Sequence, residues 1–189
     1  MSLVLASASP RRRQILTWLG VDFEVVEPQV PELEGGLEPA ELVVENARRK
    51  ARAGLEAAGE GAVVLGVDTD VFLGSEPLGK PADEDAARER LEALSGRTHT
   101  VLSGLCLLGP EPGAERSGVE RSLVTFAELE PGLIDLYLRS GEWRGRAGAY
   151  AIQGLGSLLV DRVEGDFSNI VGLPIRLLLR LAPELAEKP

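Results

Sequence analysis

This 189-residue sequence is poor in cysteine, histidine, lysine and aromatic side chains. Its single cysteine, Cys106, has no partner for an intrachain disulfide and cannot build a thiolate metal cage, which suits a reducing compartment and makes cytoplasm the expected location. Aromatics are only 4% of the chain and scattered, so there is no stacking platform of the kind single-strand nucleic-acid binders use. No apolar run approaches the roughly 18 residues of a membrane span. The opening MSLVLASASPRRRQIL also lacks the charged lead and long apolar core of a secretory signal, so no membrane association is expected. Positive charge is scarce as well: 20 basic against 30 acidic side chains give a formal charge of −10, a field that repels polyanions and excludes diffuse nucleic-acid binding. Only Lys50, Lys80 and Lys188 are lysines, the other basic residues being arginine. The first two call for an explanation.

Hydrophobic content of 44% is enough for a substantial core, and the length suits one domain over residues 1–189. Short β-like runs alternate with amphipathic helical ones, which predicts an α/β architecture. Leu3 to Ala6 reads as a strand, followed by Ser9 as helix cap, Pro10 at the first helical position and Gly20 as the stop. Phe23 to Val26 is a second strand, and the apolar spacing of Leu42, Val43, Ala47, Ala51 and Leu55 predicts a helix from about Pro39 to Ala58. Ala62 to Val67 reads as a buried strand and Val71 to Leu73 as its resumption. A helix capped by Asp83 runs to near Gly96, and Thr98 to Leu108 pairs with Ser122 to Phe126 as a hairpin. Leu133 to Arg139 is helical, 141–156 mostly loop, Leu158 to Val163 a strand, and Pro174 to Leu181 a last helix.

Four places carry chemistry. In Leu5-Ala6-Ser7-Ala8-Ser9-Pro10-Arg11-Arg12, a strand enters a helix N-terminus whose free N–H groups, hydroxyls and arginines form a phosphate cradle, or equally an ordinary cap with solvated arginines. Asp68-Thr69-Asp70 ends the buried strand, where strand alternation puts Asp68 and Asp70 on one face and Thr69 on the other. Carboxylates there hold Mg²⁺ or take a proton from water, or else form an exposed turn. Lys80 in Leu78-Gly79-Lys80-Pro81 is a point charge suited to phosphate, or else part of a surface loop; Lys50 invites the same pair of readings, and Glu32 is a candidate extra carboxylate. Gln153 lies in a glycine-rich stretch, Ala147 to Gly154, where its amide offers both a donor and an acceptor to a base edge, or which is an ordinary glycine-rich turn. His99 and Cys106 read as structural.

In this order, LASASPRR (5–12), LGVDT (65–69), LGKP (78–81), LSGRTH (94–99), AGAYAIQG (147–154) and VGLPI (171–175) make the chain resemble the Maf family of nucleoside triphosphate pyrophosphatases. The resemblance implies an elongated mixed β-sheet flanked by helices, with two lobes around a cleft, related to the inosine triphosphate pyrophosphatase fold and often found as a homodimer. It implies metal-dependent hydrolysis, with Mg²⁺ or Mn²⁺, of a nucleoside triphosphate to monophosphate and pyrophosphate. Phosphate contacts then fall on Ser7, Arg11 and Arg12, catalytic lysines on Lys50 and Lys80, the proton acceptor and metal ligand on Asp68, and a second metal ligand on Glu32. Arg12, Thr69 and Gln153 match the selectivity positions of the dTTP/UTP branch. The alternatives are the branch acting on 7-methyl-GTP and a non-catalytic nucleotide-binding regulator of cell division. Asp70, where an apolar residue is usual, and Arg146, where a lysine is common, depart from the pattern.

Overall fold

The computed structural model describes residues 2–59, 61–109, 111 and 113–186. Lys188, expected in a solvated tail, lies outside them. The chain runs β1 (Ser2–Ala6), α1 (Pro10–Trp18), β2 (Phe23–Val26), α2 (Pro39–Ala58), β3 (Ala62–Leu73), β4 (Glu76–Pro77), α3 (Glu84–Leu94), β5 (Thr98–Leu108), β6 (Glu115–Phe126), α4 (Pro131–Ser140), β7 (Val160–Glu164), α5 (Phe167–Val171) and α6 (Ile175–Leu181). One seven-stranded mixed sheet has the order β2-β1-β3-β5-β6-β7, with β4 added to the end of β3. The pairs β2-β1 and β1-β3 are parallel and the others antiparallel. A 12-residue strand spans about 40 Å, which gives the sheet its elongated form.

Alternation along β3 sorts the core into two faces. Val63, Leu65, Val67 and Val71 enter the larger core, together with Trp143, Tyr137 and Phe126. Val64 and Phe72 point to the other face and pack beneath α2 with Val4, Ala47, Ala51, Leu42 and Val43. α2 lies close to the sheet because β3 and β5 present glycine beneath it. A Cβ on Gly66 would fall 2.1 Å from the Ala47 carbonyl oxygen, and one on Gly104 would fall 2.3 Å from that of Val43.

Two strands differ from the sequence reading. β3 does not break at the polar triplet but runs on through it, since β5 pairs with it continuously from Val64 to Phe72. β6 starts at Glu115 rather than Ser122, because its polar, exposed first half pairs with β5 as fully as its second.

The sheet opens where the site forms. β1 leaves β3 at the pair Ala6 with Gly66, and β4 joins the same edge only at Phe72 and Leu73. Between them β3 has no strand neighbour on that side among the described residues. Both of its faces open into one cleft there, which divides the β1–α1–α2 side from the segments around residues 144–153 and 170–172. No described helix is long and apolar enough to cross a membrane.

Candidate active site

The cleft has a volume of about 510 Å³, and Ser7, Arg11, Arg12, Glu32, Lys50, Asp68, Thr69, Lys80 and Gln153 all border it. Residues up to 146 positions apart in sequence are thus brought to one place. The strand register explains how. Asp68 follows Val64 and Gly66 on the α2 face, and Lys50 sits one turn from Asn46 on the same side of α2. Lys50 Nζ donates to Asp68 Oδ1 and to Glu32 Oε1, each at 2.6 Å, while Lys80 Nζ reaches Glu32 Oε2 at 3.1 Å. Buried Asn46 clamps the Glu32 loop, exchanging two hydrogen bonds with the Leu33 backbone, and its Nδ2 is 3.3 Å from Asp68 Oδ2. Burial pushes the Glu32 carboxyl up, but Lys50 and Lys80 together hold it down at about 2.

Asp70 shares this face. Burial raises its carboxyl to about 6; hydrogen bonds from the Val71 and Gly79 backbones lower it, and Asp68 and Glu32 add to the rise. Its Oδ1 accepts from the Val71 N–H at 2.8 Å.

Thr69 points to the opposite face, as alternation requires, and there it meets Arg12. Arg12 Nε donates to Gly172 O at 2.8 Å, Nη1 to Ser7 Oγ at 2.9 Å and to Val67 O at 3.0 Å, and Nη2 to Thr69 Oγ1 at 3.1 Å. Burial lowers its pKa, with Asp68 and Glu32 opposing. The guanidinium therefore occupies the open edge of β3 and ties it to β1 and to the turn after α5. Its charge reaches the cleft, but four donor contacts are already made to the protein. Thr69 Oγ1 and Ser103 Oγ lie 2.8 Å apart, which continues this polar seam behind the cleft.

At α1 the helix start is open. Ser9 takes the cap position with extended backbone, its side chain makes no capping bond, and its N–H donates to Ser7 Oγ at 3.2 Å. Arg11 Nε donates to Val171 O at 3.0 Å. Gln153 is exposed at the rim, just before a 3-10 turn over Gly154–Leu159. The structural readings of His99 and Cys106 also agree with their surroundings: His99 Nε2 lies 2.8 Å from Tyr150 Oη, and Cys106 is fully buried, with burial pushing its thiol up to about 12.

Sequence reasoning passed over Asn46, Ser103 and Asn169. Each is polar and buried, and only their tertiary partners reveal them: Asn169 Nδ2 donates to Val101 O and to Ser122 Oγ, both at 3.0 Å. It also left out Arg144, and it marked Arg146 only as a departure from the family pattern, not as part of the cleft wall.

The carboxylates fit a hard cation. Among the described residues no cluster of three acidic, histidine or cysteine ligands forms, but Glu32 and Asp68 converge on a single cationic nitrogen. Mg²⁺ commonly takes one or two carboxylates and completes its octahedron with water and substrate phosphate oxygens.

The chain is similar to known proteins over nearly its whole length. The family model described as Maf-like protein matches residues 2–185. A dTTP/UTP pyrophosphatase of Deinococcus radiodurans is 48% identical over 179 residues, covering 95% of this chain and 90% of the relative. One from Thermococcus kodakarensis is 44% identical, covering 95% of this chain and 94% of the relative. Among solved structures, a HAM1 protein from Coxiella burnetii superposes with a TM-score of 0.51 at 23% identity, over 68% of this chain and 74% of that one, which establishes a shared fold.

Proposed function

The chain belongs to the Maf-like protein family, and from that premise we propose that it is a nucleoside triphosphate pyrophosphatase that hydrolyses dTTP and UTP to the monophosphate and pyrophosphate. The names of relatives sharing 43–48% identity support the pyrimidine branch over one acting on 7-methyl-GTP. The observation that carries the reading is the side-chain chain Asp68–Lys50–Glu32–Lys80, which sets a buried carboxylate and two ammonium groups at the edge of the cleft.

Cleavage of a phosphoanhydride asks mainly for positioning and for stabilisation of charge. The free N–H groups at the start of α1, with Ser7 and Arg11, seat one end of the triphosphate, and Lys50 and Lys80 supply ammonium groups to its bridging and outer oxygens. Arg12 adds charge from behind while holding Ser7 and Thr69 in place. Asp68 Oδ2, the oxygen that Lys50 does not hold, accepts the proton of the attacking water; the α–β bond breaks and pyrophosphate leaves. A Mg²⁺ or Mn²⁺ ion bound by Asp68 and Glu32 would polarise the phosphoryl oxygens. Gln153 stands at the rim as the reader of the base. A non-catalytic regulator has no use for the proton acceptor.

General-base help is worth roughly 10²–10⁴-fold, so Asp68→Asn is expected to lose about that factor in kcat with dTTP. Its thermal unfolding stays close to that of the parent, since Lys50 keeps Glu32. Pyrophosphate release from dTTP at the parental rate would remove Asp68 from the chemistry. The same proposal includes a homodimer, tested by sedimentation, and a cytoplasmic location without nucleic-acid binding.

A further inference from the structure

The cleft carries more positive charge than the proposed cleavage uses. Six cationic side chains line it, Arg11, Arg12, Lys50, Lys80, Arg144 and Arg146, against the two carboxylates of Glu32 and Asp68. Those two carboxylates are taken up by the lysines. Arg12 has spent most of its donors on the protein, and Arg11 Nε is committed to Val171 O.

Arg146, like Arg11, keeps its terminal nitrogens free of protein partners among the described residues, but it has no role in the cleavage steps proposed above. It is half-buried, forms no ion pair among the described residues, and has one side-chain hydrogen bond to them, a 3.3 Å contact from Nε to the Glu142 carbonyl oxygen. The nearby Glu142 carboxylate is turned away and accepts from the Leu155 and Gly156 N–H groups. Burial lowers the guanidinium's pKa with no carboxylate opposing it. An unpaired, partly desolvated cation that faces a cavity is costly unless an anion completes it.

The backbone around it is held in an uncommon shape. Gly145, Gly148 and Ala149 all have positive φ, at 65°, 67° and 62°, and Ala149 is the one non-glycine residue of this kind among those described. Such strain, kept at a cleft wall, is a pointer to function. Trp143, buried and donating its indole N–H to Leu138 O, anchors one side of the segment. On the other side the Gly148 N–H donates to Gly79 O at 2.9 Å, joining the segment to the residue before Lys80.

From these contacts we propose that Arg146 is a further substrate-binding residue, a ligand of the outer phosphates of the triphosphate, set beside Lys80. The proposal rests on the pyrophosphatase reading for the identity of the anion. Arg146 then grips the part of the substrate that departs as pyrophosphate, whereas Gln153, seven residues on and past the buried Tyr150 and Ile152, faces the base end.

The test uses Arg146→Gln and Arg146→Lys. A lost charged hydrogen bond corresponds to about a ten- to hundredfold change. KM for dTTP is expected to rise by that factor in Arg146→Gln with kcat within a few-fold of the parent, and Arg146→Lys restores most of it. The inhibition constant of pyrophosphate rises in parallel, while that of dTMP stays unchanged. An unaltered KM and pyrophosphate constant in Arg146→Gln overturns the assignment. So does a weakened dTMP constant with pyrophosphate untouched, which would place Arg146 at the base. Calorimetric binding of pyrophosphate to the parent and to Arg146→Gln reads the proposal even if the parent fails to cleave dTTP, a failure that would instead refute the pyrophosphatase reading.

Discussion

His99 is the only histidine of the chain and stands at the start of β5, packed edge-on against Phe126 and Tyr150 with ring centroids 5.0 and 5.3 Å away. Its Nδ1 is buried without a hydrogen-bond partner among the described residues. Burial pushes its pKa down to about 4, so the folded protein keeps the ring neutral where an unfolded chain protonates it near 6.5. The stability this contributes is fully present above pH 6.5 and is lost as the pH falls through about 4, a difference on the order of 3 kcal/mol. Asp70 acts in the opposite sense. Its raised carboxyl contributes stability that is present below its unfolded value and lost as the pH rises through about 6. The histidine effect is therefore read by comparing His99→Gln with the parent. Denaturant unfolding of the variant should lose less stability between pH 6.5 and 4 than the parent does, and identical slopes would show that His99 does not titrate in that range. At this scale the sequence was informative: two-residue periodicity alone separated Asp68 from Thr69, and the structure sends them to Lys50 and to Arg12. Arg12 was less legible, because a guanidinium's partners are set by which strand edge is left open, and that is decided by tertiary pairing.

The helix α2 carries the site through its seat on the sheet. Val43, Ala47 and Ala51 lie against glycines of β3 and β5, and the small contact brings Asn46 and Lys50 within reach of Asp68. Gly104→Ala would drive a methyl group into the Val43 carbonyl, a backbone atom that cannot rotate away. Overpacking of this kind costs about 1–3 kcal/mol and occasionally more, so a loss of about 3 kcal/mol is expected in denaturant unfolding. Activity should fall as well, since α2 must lift and take Lys50 with it. A change below about 0.5 kcal/mol would mean that the helix seat is soft. The sequence located α2 from its apolar stripe and Pro39 start, and its ends match the structure. It located β3 less well, since the triplet Asp68-Thr69-Asp70 looks like a strand end. Those residues stay extended because β5 satisfies their backbone on one edge, while Arg12 caps the Val67 carbonyl on the other. The polar first half of β6 escaped for the same reason: pairing, which a single strand's composition does not reveal, holds it in place.

For the molecule as a whole, the −10 charge and the cationic cleft act at different ranges. A highly anionic nucleotide approaching from solution meets the net negative field first and the cluster of arginines and lysines only at close quarters. Salt screens the two unequally, because the Debye length is about 10 Å at 0.1 M and about 30 Å at 0.01 M, whereas contacts inside a partly buried cleft are screened far less. Adding salt at constant free metal from about 0.01 to 0.1 M therefore removes mainly the long-range repulsion. Over that range KM for dTTP is expected to stay level or fall, and to climb only at higher salt, as the cleft contacts themselves weaken. A protein that draws its substrate in by overall positive charge behaves in the reverse way, losing affinity from the lowest salt upward. A steep monotonic rise of KM from about 0.01 M salt would mean that the cleft's field dominates even at long range, against the net charge of the chain. Neutralising surface acids away from the cleft separates the two contributions. Glu184→Gln, outside the cleft lining and ion-paired with Arg116 at the surface, should lower KM slightly at low salt and leave it unchanged at 0.1 M, the signature of a long-range effect.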